Sequence, residues 1–266
     1  MINWNMDTTA GAVLIGILQG LLECLPISSQ GNLVLFMSSL LGIDPLQALN
    51  TSVYLHVGTG LAAVVYFRTE IIDTLLMKTK ADKVLFKYLM VTTVFTGIIG
   101  FPLFIFAKSA SVYGEILLAI TGLALIGTGI LQRQAKGDQV RDIDSLNYKE
   151  GFIMGLVQGF AAIPGLSRSG LTTSILLFKN YTGEAAFRIS FIMSIPAVFA
   201  AATGLIFLDG VPMVSNEMFI SLTSSFITAL LSIDLLLKTA RRIKFWGLCI
   251  ILGLIALLPQ VANLII

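Results

Sequence analysis

Apolar runs long enough to cross a bilayer recur along the whole of this 266-residue chain. A helix needs about 20 apolar residues to span hydrocarbon. Six stretches meet that length and are expected to be full transmembrane helices: 46–67, 84–107, 115–132, 186–208, 218–237 and 245–266. Composition excludes the soluble alternative, because 56% of the residues are hydrophobic and only 12% are charged. That is too little charge to clothe a soluble domain of this size. Met1–Thr9 carries no Lys or Arg, so the basic start of a cleavable signal is missing. The first hydrophobic segment is therefore expected to stay in the mature protein.

Two further regions, 8–42 and 151–178, are apolar but interrupted. Each has a short helical stretch, a cluster of Pro, Gly and Ser, and a second short apolar stretch. This pattern predicts re-entrant helix–loop–helix segments, whose irregular backbone survives at membrane depth only against other protein or a wet cavity.

Basic residues orient the chain. Arg68, Lys78, Lys80 and Lys83 lie between the first and second spans, and Arg133, Lys136, Arg141 and Lys149 follow the third. Lys179 and Arg188 precede the fourth, while Lys238, Arg241, Arg242 and Lys244 separate the last two. The remaining loops hold Lys108 in one and only Asp209 and Glu217 in the other. The basic loops are thus expected on the cytoplasmic side, with both chain ends outside.

The broken segments resemble each other. Gly16-Ile-Leu-Gln19-Gly20 returns as Gly155-Leu-Val-Gln158-Gly159, and Ser28-Ser-Gln-Gly31 returns at the same offset as Ser167-Arg-Ser-Gly170. Each motif precedes three spans, and an odd number of spans turns the second copy upside down. The expected architecture is an all-α polytopic membrane protein, a single membrane domain over 1–266. It has six full transmembrane helices plus two re-entrant helix–loop–helix segments, arranged as two inverted-topology repeats, 8–132 and 151–266. Such repeats commonly place a site near the midplane, where discontinuous helices meet. The competing reading is a chance match of short Gly-rich stretches.

Gln19 and Glu23 share one helix face, four residues apart. An ionisable group within Gly20-Leu-Leu-Glu23-Cys-Leu costs about 2.5–3.5 kcal/mol on insertion scales, so Glu23 needs a polar partner or a function. A protonated carboxylate or a structural salt bridge would also satisfy it. Pro26 ends that helix, and Ile27-Ser28-Ser29-Gln30-Gly31-Asn32 offers hydroxyls, an amide and a helix start able to favour an anion. Plain capping without a ligand is the alternative. Arg168, within Pro164-Gly-Leu-Ser167-Arg168-Ser169-Gly170, is a fixed cation whose planar fork matches phosphate oxygens. Its plain alternative is a snorkelling or cytoplasmic arginine. A carboxylate with a hydroxyl loop from one half and an arginine with a hydroxyl loop from the other make a phosphate site. No cluster of Cys and His has zinc-like spacing, and the single histidine, His56, cannot alone form a transition-metal site. Cys24 and Cys249 read as small buried thiols, although their pairing stays open.

Gln19-Gly-Leu-Leu-Glu23-Cys-Leu-Pro26-Ile-Ser28-Ser29-Gln-Gly31 resembles the (Glu/Gln)-x-x-x-Glu and Pro-x-Ser-Ser-x-Gly motif of the undecaprenyl-diphosphate phosphatase (UppP/BacA, bacitracin-resistance) family. Pro164-Gly-Leu-Ser167-Arg168-Ser169-Gly170 is similar to its Pro-Gly-x-Ser-Arg-Ser-Gly motif. Leu55-His-Val-Gly58-Thr59, Tyr66-Phe-Arg68 and Phe191-Ile-Met-Ser-Ile-Pro196 also look like family sequence, so the likeness runs to about residue 240. The resemblance implies a multi-pass enzyme of the cell membrane that hydrolyses a polyprenyl diphosphate to the monophosphate and inorganic phosphate, recycling the lipid carrier of envelope synthesis. It implies a divalent cation, Mg2+ or Ca2+, and assigns catalytic roles to Glu23, Ser29 and Arg168, with Ser29 the candidate nucleophile. Gln19, Ser28, Gly31, Asn32, Ser167, Ser169 and Gly170 would bind substrate, and Glu23 would hold the metal.

This chain departs from the family pattern where Asn32 replaces a histidine that serves the family as acid and base. His56 falls in another family element and is not an obvious replacement. Glu23 acting as base, a metal-bound water, and weak or lost hydrolysis all stay open. A polyprenyl-phosphate translocase is the rival function, since broken helices and inverted repeats suit it equally. A non-catalytic scaffold would require both motifs to be idle. The expected partners are the lipid and the bilayer, with no nucleic acid. The oligomeric state, a homodimer included, is left open.

Overall fold

In the two broken segments helix gives way where Pro, Gly and Ser gather. The structure is a computed structural model and describes residues 9–111, 114–134, 140–210, 215–239 and 246–265. Lys136, Arg241, Arg242 and Lys244 lie outside the described residues. The first broken segment forms α1 (Thr9–Cys24) and α2 (Ser29–Leu41), and the second forms α7 (Glu150–Phe160) and α8 (Arg168–Phe178). The six long apolar stretches become α3 (Pro45–Tyr66), α5 (Lys80–Ser111), α6 (Gly114–Gln134), α9 (Gly183–Asp209), α10 (Asn216–Thr239) and α11 (Trp246–Ile265). A short α4 (Arg68–Leu75) and a 3-10 turn (Ile143–Ser145) lie in the basic loops. Among the described residues no strand occurs beyond an isolated bridge between Arg141 and Tyr181. By length and composition α3, α5, α9 and α10 can each cross a membrane, and the chain is a polytopic helical membrane protein.

Local chemistry sets the boundaries. Asp44 starts α3 by accepting the backbone N–H groups of Leu46 and Gln47 at 3.0 and 3.1 Å, with Pro45 pre-set for the first turn. Thr79 and Asp82 form a reciprocal cap: Thr79 N–H donates to Asp82 at 2.8 Å and Asp82 N–H donates to Thr79 Oγ at 3.1 Å. That cap starts α5 at Lys80, four residues before the apolar run expected at 84. The sequence pattern gives only a basic loop at α4, because its apolar stretch is too short to stand out by periodicity.

Close packing depends on glycines of the duplicated motif. A Cβ on Gly16 would lie 2.3 Å from the carbonyl oxygen of Ser221, and one on Gly20 would lie 2.7 Å from Thr228, so α1 packs tightly on α10. Gly155 and Gly159 do the same for α7 on α5, with a Cβ 2.6 Å from Thr92 and 2.6 Å from Ile99. Small residues allow helix backbones this near approach inside a membrane. The two cysteines are free and buried.

Polar contacts tie the helix ends and connections together. Arg188 binds Glu70 at 2.5 Å, Tyr66 binds Asp234 at 3.2 Å, and Arg141 binds Glu150 at 3.0 Å. At the opposite ends of the long helices, Lys108 pairs with Asp209, which also accepts from Asn50 at 3.3 Å.

Candidate active site

Four elements deliver the polar groups. Glu23 comes from the last turn of α1, Ser29 is the first residue of α2, His56 lies on α3, and Arg168 is the first residue of α8. Ser28, left-handed at φ 61°, turns the chain so that α2 begins against α1, and its hydroxyl caps the Gly31 N–H at 3.3 Å. Ser167 caps the Gly170 N–H at 3.0 Å in the matching place of the second loop. The starts of α2 and α8 therefore both abut the site, and helix starts favour negative charge.

Glu23 is the hub. One carboxylate oxygen forms an ion pair with Arg168 Nη2. The other accepts the Ser29 hydroxyl at 2.5 Å, stands 3.0 Å from His56 Nε2, and is reached by the Gln19 amide at 3.4 Å. Arg168 Nη1 donates to the Ser190 carbonyl at 3.2 Å. A guanidinium has five N–H donors, so donors remain for an anionic ligand. His56 Nε2 is also 3.2 Å from Ser29 Oγ, and its Nδ1 is 2.5 Å from the Ser52 carbonyl oxygen.

The loops from the two halves are stitched together. Gly165 N–H donates to Ser28 Oγ at 3.2 Å, and Ser169 Oγ donates to the Leu25 carbonyl at 3.3 Å. From α6, Gln132 donates to the Pro26 carbonyl, while Thr128 Oγ accepts from Ser167 N–H at 3.2 Å.

These groups sit at the head of a cavity of about 260 Å3. Glu23, Ser28, Ser29, Ser167, Arg168 and Ser169 line it. The other expected binding residues stand behind that lining. Gln19 is fully buried against Glu23. Gly31 and Gly170 permit close packing, since a Cβ on them would lie 2.7 Å from Gly165 N and 2.8 Å from Gln132 Nε2. Asn32 turns its amide back to the Ile27 and Ser28 carbonyls at 2.6 and 2.9 Å. Sequence reasoning set His56 aside, yet it lines the cavity and touches both Ser29 and Glu23. The signal was an ionisable side chain within an apolar span, the same argument that singled out Glu23. Gln158 also lines the cavity and had been noticed only as part of the repeat.

A metal at Glu23 does not fit this donor set. Both carboxylate oxygens are engaged, one by a cation, and among the described residues no three His, Cys, Asp or Glu side chains come together. Beyond the polar head the cavity walls are mostly apolar and small, with Gly97 and Gly100 of α5 and Ala197, Ala201 and Gly204 of α9.

Together these features define a helical membrane protein with a buried polar cluster of carboxylate, hydroxyl, imidazole and guanidinium at the head of an apolar cavity. The model of the bacitracin resistance protein BacA family matches residues 12–255. The chain belongs to that family. A protein of Methanothrix thermoacetophila is 38% identical, covering 94% of this chain and 98% of its own. One from Methanococcoides burtonii is 38% identical over 96% and 99%, and one from Haloarcula marismortui 33% over 93% and 96%. All three relatives carry the name undecaprenyl-diphosphatase.

Proposed function

We infer that the chain is an undecaprenyl-diphosphate phosphatase, hydrolysing the lipid diphosphate to the monophosphate and inorganic phosphate. The observation that carries this reading is the convergence of Glu23 and Ser29 of the first broken segment with Arg168 of the second at the polar head of an apolar cavity. Arg168 and the starts of α2 and α8 bind and neutralise the diphosphate oxygens. Ser29 Oγ attacks the terminal phosphorus. Phosphoryl transfer asks mainly for positioning and charge stabilisation, which this arrangement supplies. Glu23 holds Ser29 and Arg168 in register. The cavity is below the roughly 300–1,000 Å3 of ordinary ligand pockets, so the long prenyl tail lies largely among lipids and only its head-group end is enclosed.

The protein acts in the cell membrane, built as six spans and two re-entrant segments in two inverted repeats. Supporting this, α1 packs on α10 and α7 on α5 through equivalent glycines, and polar contacts join helix ends assigned to the same side. Dependence on Mg2+ or Ca2+ is part of the proposal, with no step and no protein ligand assigned to the ion. A homodimer is compatible with this site, which one chain completes by itself.

The test is phosphate release from a C55 diphosphate by the protein in detergent or nanodiscs. Release that is lost in Ser29→Ala and Arg168→Ala is expected. Intact lipid binding with no release by the native protein would overturn the enzyme in favour of a translocase.

A further inference from the structure

We propose that His56 is the proton-transfer residue of this enzyme, taking the Ser29 proton during attack, passing it to the leaving monophosphate, and reprotonating Ser29 with a proton from water when the phosphoseryl intermediate is hydrolysed. The proposal rests on the phosphatase reading above. It concerns a residue outside both duplicated motifs, on α3 rather than in either hydroxyl loop.

Ser29 has one proton and two acceptors within reach, Glu23 at 2.5 Å and His56 Nε2 at 3.2 Å. Glu23 is already paired with Arg168, and a carboxylate beside a fixed cation is a poor destination for a proton. The His56 ring is oriented for the task. Its Nδ1 faces the Ser52 carbonyl at 2.5 Å, and a carbonyl only accepts, so Nδ1 carries the hydrogen. In the neutral ring, Nε2 therefore presents its lone pair to Ser29. Once protonated, the ring stands 3.0 Å from the Glu23 carboxylate, which stabilises the imidazolium. A hydroxyl, an imidazole and a carboxylate thus meet in the roles seen wherever a serine is activated by a neighbouring base. Asn32 cannot substitute, because an amide takes no proton near neutrality and its nitrogen is committed to two backbone carbonyls.

The chemistry balances without a further reactant. In the first step the Ser29 O–H bond breaks and its proton moves to His56 Nε2. Oγ bonds to the terminal phosphorus, and the bond to the bridging oxygen breaks with its electron pair. That oxygen leaves on the polyprenyl monophosphate, which receives the proton from His56. In the second step a water gives one proton to His56 and its oxygen bonds to the phosphorus. The P–Oγ bond breaks, His56 reprotonates Ser29, and inorganic phosphate departs.

The test compares native protein with His56→Gln, measuring phosphate release from the C55 diphosphate and binding of its methylene-bridged, non-hydrolysable analogue. Loss of general-base catalysis is worth roughly 100- to 10,000-fold in rate. A fall of that size in His56→Gln, with analogue binding within threefold of native, is the expected result. A variant that keeps more than a tenth of native turnover overturns the proposal while leaving the phosphatase reading intact. No release by the native protein sinks the phosphatase reading itself.

Should His56→Gln not fold, native protein without a polyhistidine tag serves, because His56 is the only histidine in the chain. Diethyl pyrocarbonate should then abolish turnover as one histidine is modified, the analogue should protect, and hydroxylamine should restore activity. Full turnover with that histidine modified also overturns the proposal.

Discussion

Glu23 and Arg168 lie 145 residues apart in sequence and meet as an ion pair, one oxygen of the carboxylate against Nη2 of the guanidinium. The Glu23 side chain is only 9% exposed and the Arg168 side chain 16%. In such a setting, removing one partner leaves an uncompensated charge, at a cost of the order of 3–5 kcal/mol. Arg168→Ala and Glu23→Ala should each destabilise the protein on that scale. The double variant should be less destabilised than the sum of the two, as a double-mutant cycle of unfolding in detergent would reveal. Additive losses would mean that the two charges do not interact.

Glu23→Gln separates charge from shape. The amide keeps the volume and can still accept from Ser29, but it frees Arg168 and removes the anion facing His56. Analogue binding should persist or tighten, while turnover falls by at least about 100-fold, the lower range for losing a proton-transfer arrangement. Equal losses in binding and turnover would place Glu23 in substrate binding instead.

Asn32 occupies the place of the family's loop histidine, and its two bonds to the Ile27 and Ser28 carbonyls close the turn between α1 and α2. Asn32→Ala should therefore cost stability, about 1 kcal/mol for each lost bond, with a smaller effect on turnover. Asn32→His should not raise phosphate release, because proton transfer is already served from α3. A severalfold gain would show that the loop position is still competent.

The long helices and the two breaks were legible because membrane burial writes itself directly into composition and run length. Glu23 and Arg168 stood out for the same reason, as charges where charge is costly. His56 was equally anomalous but was weighed as a metal ligand and against a motif, rather than for what it would meet across the fold. Its partner Ser29 is 27 residues away on another helix, and nothing in single-chain periodicity reports such contacts. Gly31, Gly170 and Asn32 were read as touching substrate because they sit within the motifs. In the fold they also let two loops interlock. The start of α5 was readable in the Thr79 and Asp82 pair, but polarity concealed it.

Two glycines, Gly16 and Gly127, should respond oppositely to a methyl group. At Gly16 a Cβ would lie 2.3 Å from the Ser221 carbonyl oxygen and 2.6 Å from Ser224, so Gly16→Ala must push α1 off α10. Overpacking of this sort costs about 1–3 kcal/mol. At Gly127, in α6, a Cβ would meet nothing within 4 Å. Gly127→Ala should be neutral or stabilise by roughly 0.5–1 kcal/mol through helix propensity. Thermal unfolding in a single detergent decides both, and a destabilising Gly127→Ala would contradict the packing described here.

Glu150, at the start of α7 and outside the spans, anchors the basic loop that precedes the second broken segment. It accepts from Arg141 at 3.0 Å and from Tyr181 at 2.8 Å, and it pairs with Lys179 at 3.5 Å. Burial by itself would raise its pKa, but the Arg141 hydrogen bond, the Tyr181 hydroxyl and the two neighbouring cations outweigh it and hold the carboxyl below its ordinary value. A carboxyl lowered in the folded state contributes stability above its unfolded value near 4.5 and loses it as pH falls through the lower folded value. Native protein should therefore lose stability between about pH 5 and the acid limit more steeply than Glu150→Gln. At pH 7 the variant should be less stable by roughly 1.5–3 kcal/mol, the range for hydrogen bonds to a charged group, and the two stability curves should converge in acid. Parallel curves across that range would show that Glu150 titrates alike in folded and unfolded chains, and that the Arg141 cluster does not hold this loop.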